Sequence, residues 1–190
     1  MGKGRVEAFS DGVIAIIITI MVLELHAPHE TTLAALLPEL PVFLSYVLSF
    51  VFVAIYWNNH HHLFHAVKSV SGAVLWANLF LLFALSLIPF VTAWMGENHL
   101  EAVPVALYGC DLILCAVAYT ILVKVLVRHE GSSSTLARAI GSDIKGMVSL
   151  GIYLVGVGAA FIDVRLAILF YASVAVIWFV PDRRIEKLIG

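Results

Sequence analysis

The sequence predicts an all-α integral membrane protein that crosses the bilayer six times and forms one domain over residues 1–190. Three observations carry this prediction. Hydrophobic residues make up 62% of the chain and charged residues 13%, against about 45–50% and about 25% in soluble domains. The mean hydropathy is +1.01. Six predominantly apolar stretches, at about 6–25, 38–64, 72–95, 103–127, 144–162 and 165–181, fall in the range of roughly 17–25 residues or more that spans a hydrocarbon core.

The same composition excludes a water-soluble enzyme, a disordered chain and a disulfide-stapled secreted fold. The net charge of −2 offers no basic surface for nucleic acid. Cys110 and Cys115 lie inside an apolar run and read as small buried hydrophobes.

The first stretch opens with Lys3 and Arg5, but Glu7 and Asp11 interrupt its start and no small-x-small cleavage site follows Leu25. It therefore reads as a mature helix and not as a signal peptide. Its centre is apolar on every side, whereas Glu7, Asp11 and Glu24 need partners or water at membrane depth. At about 100° per residue, Gly12, Ile16, Thr19 and Leu23 share one stripe, which Ile20 flanks. Repeated around a symmetry axis, that stripe forms aliphatic rings that gate by dewetting, with a hydroxyl ring between them. The alternative is a packed helix face with a back-bonded threonine.

The second stretch ends Tyr56-Trp57-Asn58-Asn59-His60-His61-His62. Asn58, His61 and His65 step by three and four and share a face, and Trp57, His60 and His61 share the next. These side chains are natural partners for Ser10 and Asp11 at the same depth, as is Asn78 at the start of the third stretch. A zinc or haem site on His61 and His65 is the sharper alternative, but a third ligand is not evident. Pro89 interrupts the third stretch. The fourth holds one isolated deep acid, Asp111, which either pairs across helices or lines a cavity. The fifth carries Gly146, Gly151, Gly156 and Gly158, small residues that permit close helix approach in lipid. The sixth is plain and aromatic, and ends in the anchor Asp182-Arg183-Arg184.

With both termini in the cytoplasm, ten of the eleven Lys and Arg residues fall on the cytoplasmic side and only Arg165 on the other, the expected positive-inside asymmetry. Glu30, Glu97, Glu101 and Asp163 occupy the outer loops. The segments show no internal repeat of the kind that builds rocking transporters. There is no TVGYG carbonyl filter, no arginine-rich voltage sensor and no P-loop or catalytic triad. No enzyme, cofactor or metal centre is expected.

Arg5-x-x-x-Phe9-Ser10-Asp11 opening the first helix, with Trp57-Asn58-Asn59-His60-His61-His62 on the second and Asn78 to Pro89 on the third, resembles the transmembrane protein 175 potassium channels. The resemblance covers the full chain and is closest to the single-repeat prokaryotic form. It implies a homotetramer, a prokaryotic inner membrane and passive conduction of K+, with other monovalent cations not excluded. It also implies a pore lined by helix one. The aliphatic constriction, five, nine and twelve positions after the motif aspartate, falls here on Ile16, Ile20 and Leu23, and the threonine layer on Thr19. Arg5, Phe9, Ser10 and Asp11 are then structural, tying helix one to Trp57, Asn58, His60, His61 and Asn78. The competing expectation is a proton-conducting channel or proton-coupled transporter that uses Asp111 and the helix-two histidines.

Overall fold

The computed structural model describes residues 2–131, 134–140 and 143–179. Among them are seven α-helices: α1 Lys3–Leu23, α2 Leu40–His65, α3 Gly72–Glu97, α4 Ala102–Glu130, α5 Thr135–Ile140, α6 Ile144–Ala159 and α7 Val164–Phe179, with a 3₁₀ turn at Leu33–Leu36. α1 to α4 are long and apolar enough to cross a membrane, and α6 and α7 are shorter apolar helices. Each of these six helices overlaps one of the expected apolar stretches. The short α5 lies between the fourth and fifth expected stretches, in the polar connection that begins at Gly131-Ser132-Ser133-Ser134-Thr135. The anchor Asp182-Arg183-Arg184 lies outside the described residues, as do Pro181 and Lys187.

Local chemistry sets the ends. The Ser71 hydroxyl accepts from the Val74 amide ahead of α3, and Asp143 accepts from the Gly146 amide at 2.9 Å ahead of α6. Both satisfy first-turn donors that have no partner inside the helix. Pro41 lies in the first turn of α2, where its missing N–H costs nothing. The α3–α4 reversal is made without glycine: His99 and Leu100 both take left-handed backbone, at φ 51° and 63°. The Leu100 amide bonds back to the Met95 carbonyl at 3.0 Å. That conformation is costly for residues with a Cβ, and the bond offsets part of the cost.

α3 is the hub. It packs against α4, α2 and α1, and 56% of its most apolar window is buried against 28% for α1. One apolar cluster joins Ile14, Ile17, Leu63, Leu81, Leu85 and Leu122, and a second gathers Phe52, Met95, Leu112 and Tyr171. Buried hydroxyls link three helices between them: Ser49 of α2 lies 2.7 Å from Thr92 of α3 and 3.0 Å from Tyr108 of α4. The helices alternate in direction. Lys3 of α1 donates to the His65 carbonyl that ends α2, and Glu130 at the end of α4 accepts the Lys68 and Ser69 amides. Lys3, Arg5, Lys68, Lys124 and Arg128 therefore share one end of the bundle, and Arg165 starts α7 at the other.

The glycine expectation needs correction. Of the fifth-stretch glycines, Gly156 meets a neighbour closely, a Cβ there coming within 2.5 Å of Tyr171 Cε1, whereas Gly151 and Gly158 face open space. Gly146 lies against Asp143, the cap of its own helix. The tighter site is Gly109 on α4, where a Cβ would overlap the Tyr171 hydroxyl and approach Val157 Cγ2 to 2.8 Å. Tyr171 is fully buried and donates to the Val105 carbonyl at 3.3 Å, so it cannot swing away cheaply. Gly109→Ala is expected to destabilise by about 1–3 kcal/mol through overpacking, and Gly151→Ala to leave stability unchanged. Thermal unfolding of the two variants in detergent checks this.

Candidate functional site

α1 divides into two faces. Val6, Ser10, Ile14, Ile17 and Met21 are buried, spaced by three and four as one helix face requires. They pack on α3 and α2. The opposite face carries Gly12, Ile16, Thr19 and Leu23 with Ile20 beside them, all exposed. Ile16 is 58% exposed, Ile20 42% and Leu23 76%. The Thr19 hydroxyl donates to the Ile16 carbonyl at 2.8 Å. Its proton is thereby spent on the helix, and its oxygen lone pairs are left facing outward. Back-bonding, offered in the sequence as the alternative to an outward hydroxyl, coexists with it.

The base of α1 is tied to α2 and α3 by two separate links. In the first, the Ser10 hydroxyl donates to the Val6 carbonyl at 2.8 Å, so its oxygen is open to a donor. Asn78 Nδ2 of α3 supplies one at 2.9 Å. The amide orientation then leaves Asn78 Oδ1 as an acceptor, 2.8 Å from His60 Nε2 of α2. His60 must carry its proton on Nε2 to satisfy that oxygen. Ser10, Asn78 and His60 are all buried, none more than 1% exposed. The His60 ring stacks on Phe64 with centroids 4.5 Å apart. In the second link, Trp57 Nε1 of α2 donates to Asp11 Oδ1 at 2.9 Å. This pair is exposed.

The other expected partners take different places. Asn58 and His61 make no hydrogen bond to α1 among the described residues. His61 instead stacks between Trp57 and His65 on the exposed face of α2, with centroids 6.1 and 6.2 Å away. The grouping of Trp57, His60 and His61 on one face thus separates: His60 points inward, and Trp57 and His61 point outward. A shift of one residue, about 100° of rotation, is enough to do this. Arg5 and Phe9 are likewise exposed and bond to neither α2 nor α3. Within one chain the link is made by Ser10 and Asp11.

Asp111 lies in the core of α4, 6% exposed, and both carboxylate oxygens lack a hydrogen-bond partner. It shares its helix with Tyr108, one turn away, but the Ser49–Thr92–Tyr108 hydroxyl group does not reach it. Sequence reasoning identified Asp111 as deep. It missed the hydroxyl group, whose members are scattered over three helices as unremarkable single residues. Among the described residues, no three His, Cys, Asp or Glu side chains converge to hold a metal.

A family profile described as "Endosomal/lysosomal potassium channel TMEM175" matches residues 5–89, the span holding both the stripe on α1 and its links to α2 and α3. A potassium channel of Chryseobacterium sp. (strain P1-3) is 56% identical over 98% of this chain and 97% of its own length. A potassium channel of Chamaesiphon minutus is 32% identical over 87% of each chain. The crystal structure of a lysosomal potassium-selective channel TMEM175 homolog from Chamaesiphon minutus superposes with a TM-score of 0.82, covering 95% of this chain and 97% of that one at 30% identity.

Proposed function

This chain belongs to the TMEM175 family of potassium channels, multi-pass membrane proteins that are not enzymes, and we propose that four copies of it form a potassium-permeable pore lined by α1. Each subunit contributes six membrane-crossing helices, α1 to α4 with α6 and α7. Ile16, Ile20 and Leu23 form aliphatic rings that exclude water and close the path. Thr19 contributes a ring of oxygens between the Ile16 and Leu23 layers. Ions cross passively, and no carbonyl filter takes part. The termini lie in the cytoplasm, since the end of the bundle carrying Lys3, Arg5, Lys68, Lys124 and Arg128 is the cationic one. The membrane is the plasma membrane, as suits relatives from bacteria.

The single observation that carries this reading is the bare aliphatic stripe on α1. Its other face is fully engaged, so the helix has no further packing to make within its own subunit. A closed ring of copies covers or shares such a face. The two links to α2 and α3 hold α1 rigidly and keep the stripe pointed at the axis.

Potassium flux into liposomes holding the purified protein tests the reading, with sodium substituted in parallel. Flux should be greater in potassium. Thr19→Val, which keeps the shape and removes the oxygen, should lower the potassium-to-sodium ratio by about threefold to tenfold without changing the assembly, the scale of one weakened oxygen contact per subunit. Equal flux of both ions through wild type and variant would remove Thr19 from the path. A second reading follows from the partnerless Asp111: proton conduction through the bundle. Flux that needs a pH gradient and vanishes in Asp111→Asn would transfer the assignment there.

A further inference from the structure

At the cationic end of the bundle, residues of α4 and α6 line a groove. One part, of about 290 Å³, is lined by Val117, Ile121, Met147 and Leu150 with Lys124 at its edge. It adjoins a second part of about 390 Å³, lined by Lys124 and Arg128 and by Ala137 of α5. Thr120, Lys124 and Asp143 belong to both. Lys124 and Arg128 are spaced four apart and so project from the same face of α4. Ile121 and Val117 lie one and two turns earlier along that face. Running along the helix, the groove is aliphatic towards the middle of the membrane and doubly cationic towards its edge.

Both cations are exposed, and neither forms an ion pair among the described residues. Asp143 is the acid facing them, and its Oδ1 is engaged by the Gly146 amide at the start of α6. A long basic side chain near a helix end ordinarily reaches out to the headgroups. Here two of them flank a concave cleft that continues as an apolar slot, the shape of a headgroup on its acyl chain. Basic pockets between membrane helices are matched by phosphate headgroups, and the planar Arg128 guanidinium suits two phosphate oxygens at once.

We propose that the α4–α6 groove binds one anionic phospholipid per subunit, its phosphate on Lys124 and Arg128 and an acyl chain along Val117, Ile121, Met147 and Leu150. The ligand is a lipid and not free phosphate, because the cationic part of the cleft is continuous with the aliphatic part. The groove is built on α4 and α6, whereas α1 packs on α3 and α2.

Native mass spectrometry of the purified full-chain assembly tests this, with phosphatidylglycerol and phosphatidylcholine of identical acyl chains offered in turn, and with inorganic phosphate added in a third arm. Wild type should retain phosphatidylglycerol about 30-fold more strongly, roughly fivefold for each basic residue near a headgroup. Lys124→Gln and Arg128→Gln should each lose about fivefold, and the double variant should retain both lipids equally. Arg165→Gln, at the other end of the bundle, should behave as wild type. Unchanged phosphatidylglycerol retention in the double variant overturns the proposal. So does equal retention of the two lipids by wild type, or displacement of phosphatidylglycerol by inorganic phosphate. Lipid retention does not depend on whether α1 lines a pore, so failure here leaves the channel reading untouched.

Discussion

Ile16→Asn is expected to raise the resting potassium leak of liposome-reconstituted protein on the order of tenfold, the effect of lowering a barrier by about 1.4 kcal/mol. Ile16 is over half exposed on the outward face of α1 and one turn below Ile20. In the proposed tetramer a ring of four isoleucines would offer water no hydrogen bonds, so a narrow passage there would empty and an ion would meet a desolvation barrier. Asparagine has nearly the same reach but supplies donors and acceptors that keep the passage wet. The stability of the subunit should change little, because Ile16 belongs to neither apolar cluster of its own chain. Its neighbour Ile17, by contrast, is 2% exposed. Ile17→Asn should unfold the protein, since it drives a polar group into the α1–α3 contact without a partner. A tenfold leak in the first variant and loss of folded protein in the second would together establish which face of α1 meets the ion path. Unchanged leak in Ile16→Asn would mean that the stripe is covered by lipid or protein and that the constriction lies elsewhere.

Asn78→Leu is expected to be the most damaging single change in the anchoring network. Leucine is close in volume to asparagine, so packing is largely kept. Yet it strips the acceptor from His60 Nε2 and the donor from Ser10 Oγ in one step. Each buried polar group left alone costs about 1–3 kcal/mol, so the loss is about 2–6 kcal/mol, read as a lower unfolding temperature and a broken assembly on size exclusion. Asp11→Ala should cost less, about 1 kcal/mol, because the Asp11–Trp57 bond is exposed and water can replace it. Ser10→Ala combined with Asn78→Leu should cost less than the sum of the two, as expected of groups in one hydrogen-bond network. If Asp11→Ala left stability intact and changed only ion selectivity, a structural role for the motif would be wrong.

Much of the anchoring network was legible in the sequence, because polar side chains in an apolar helix have few places to go. Ser10, Asp11, Trp57, His60 and Asn78 all lay at one depth, and each of them bonds there. The sequence could not choose among neighbours on the same turn. His60 and His61 have the same chemistry and differ by about 100° of rotation, yet one is buried on Asn78 and the other stacks outside on Trp57. That choice depends on the angle at which α2 crosses α3, which no local pattern encodes. The glycines show the same limit. Four on α6 looked like packing positions, but the close contacts to Tyr171 are made by Gly156 and by Gly109 on α4. Where a partner side chain arrives from another helix decides which small residue matters.

The α3–α4 turn was illegible for a different reason. His99 and Leu100 hold left-handed backbone with none of the glycine or asparagine that advertises it. The Leu100-to-Met95 bond and the packing of the two long helices impose it from outside.

Composition and hydropathy alone determined that this is a helical membrane protein, because a chain that is 62% apolar must satisfy its backbone hydrogen bonds within helices wherever water is absent. They also located the apolar helices α1 to α4, α6 and α7 among the described residues, since span length is set by bilayer thickness and not by tertiary contacts. Period alone drew the Gly12, Ile16, Thr19 and Leu23 stripe, but α1 is apolar on all sides, so amphipathicity could not say which side packs. Only the tertiary structure decided that. It set Ile14, Ile17 and Met21 against α3 and α2 and left the stripe bare, because the Ser10–Asn78 and Asp11–Trp57 contacts together favour one rotation of α1.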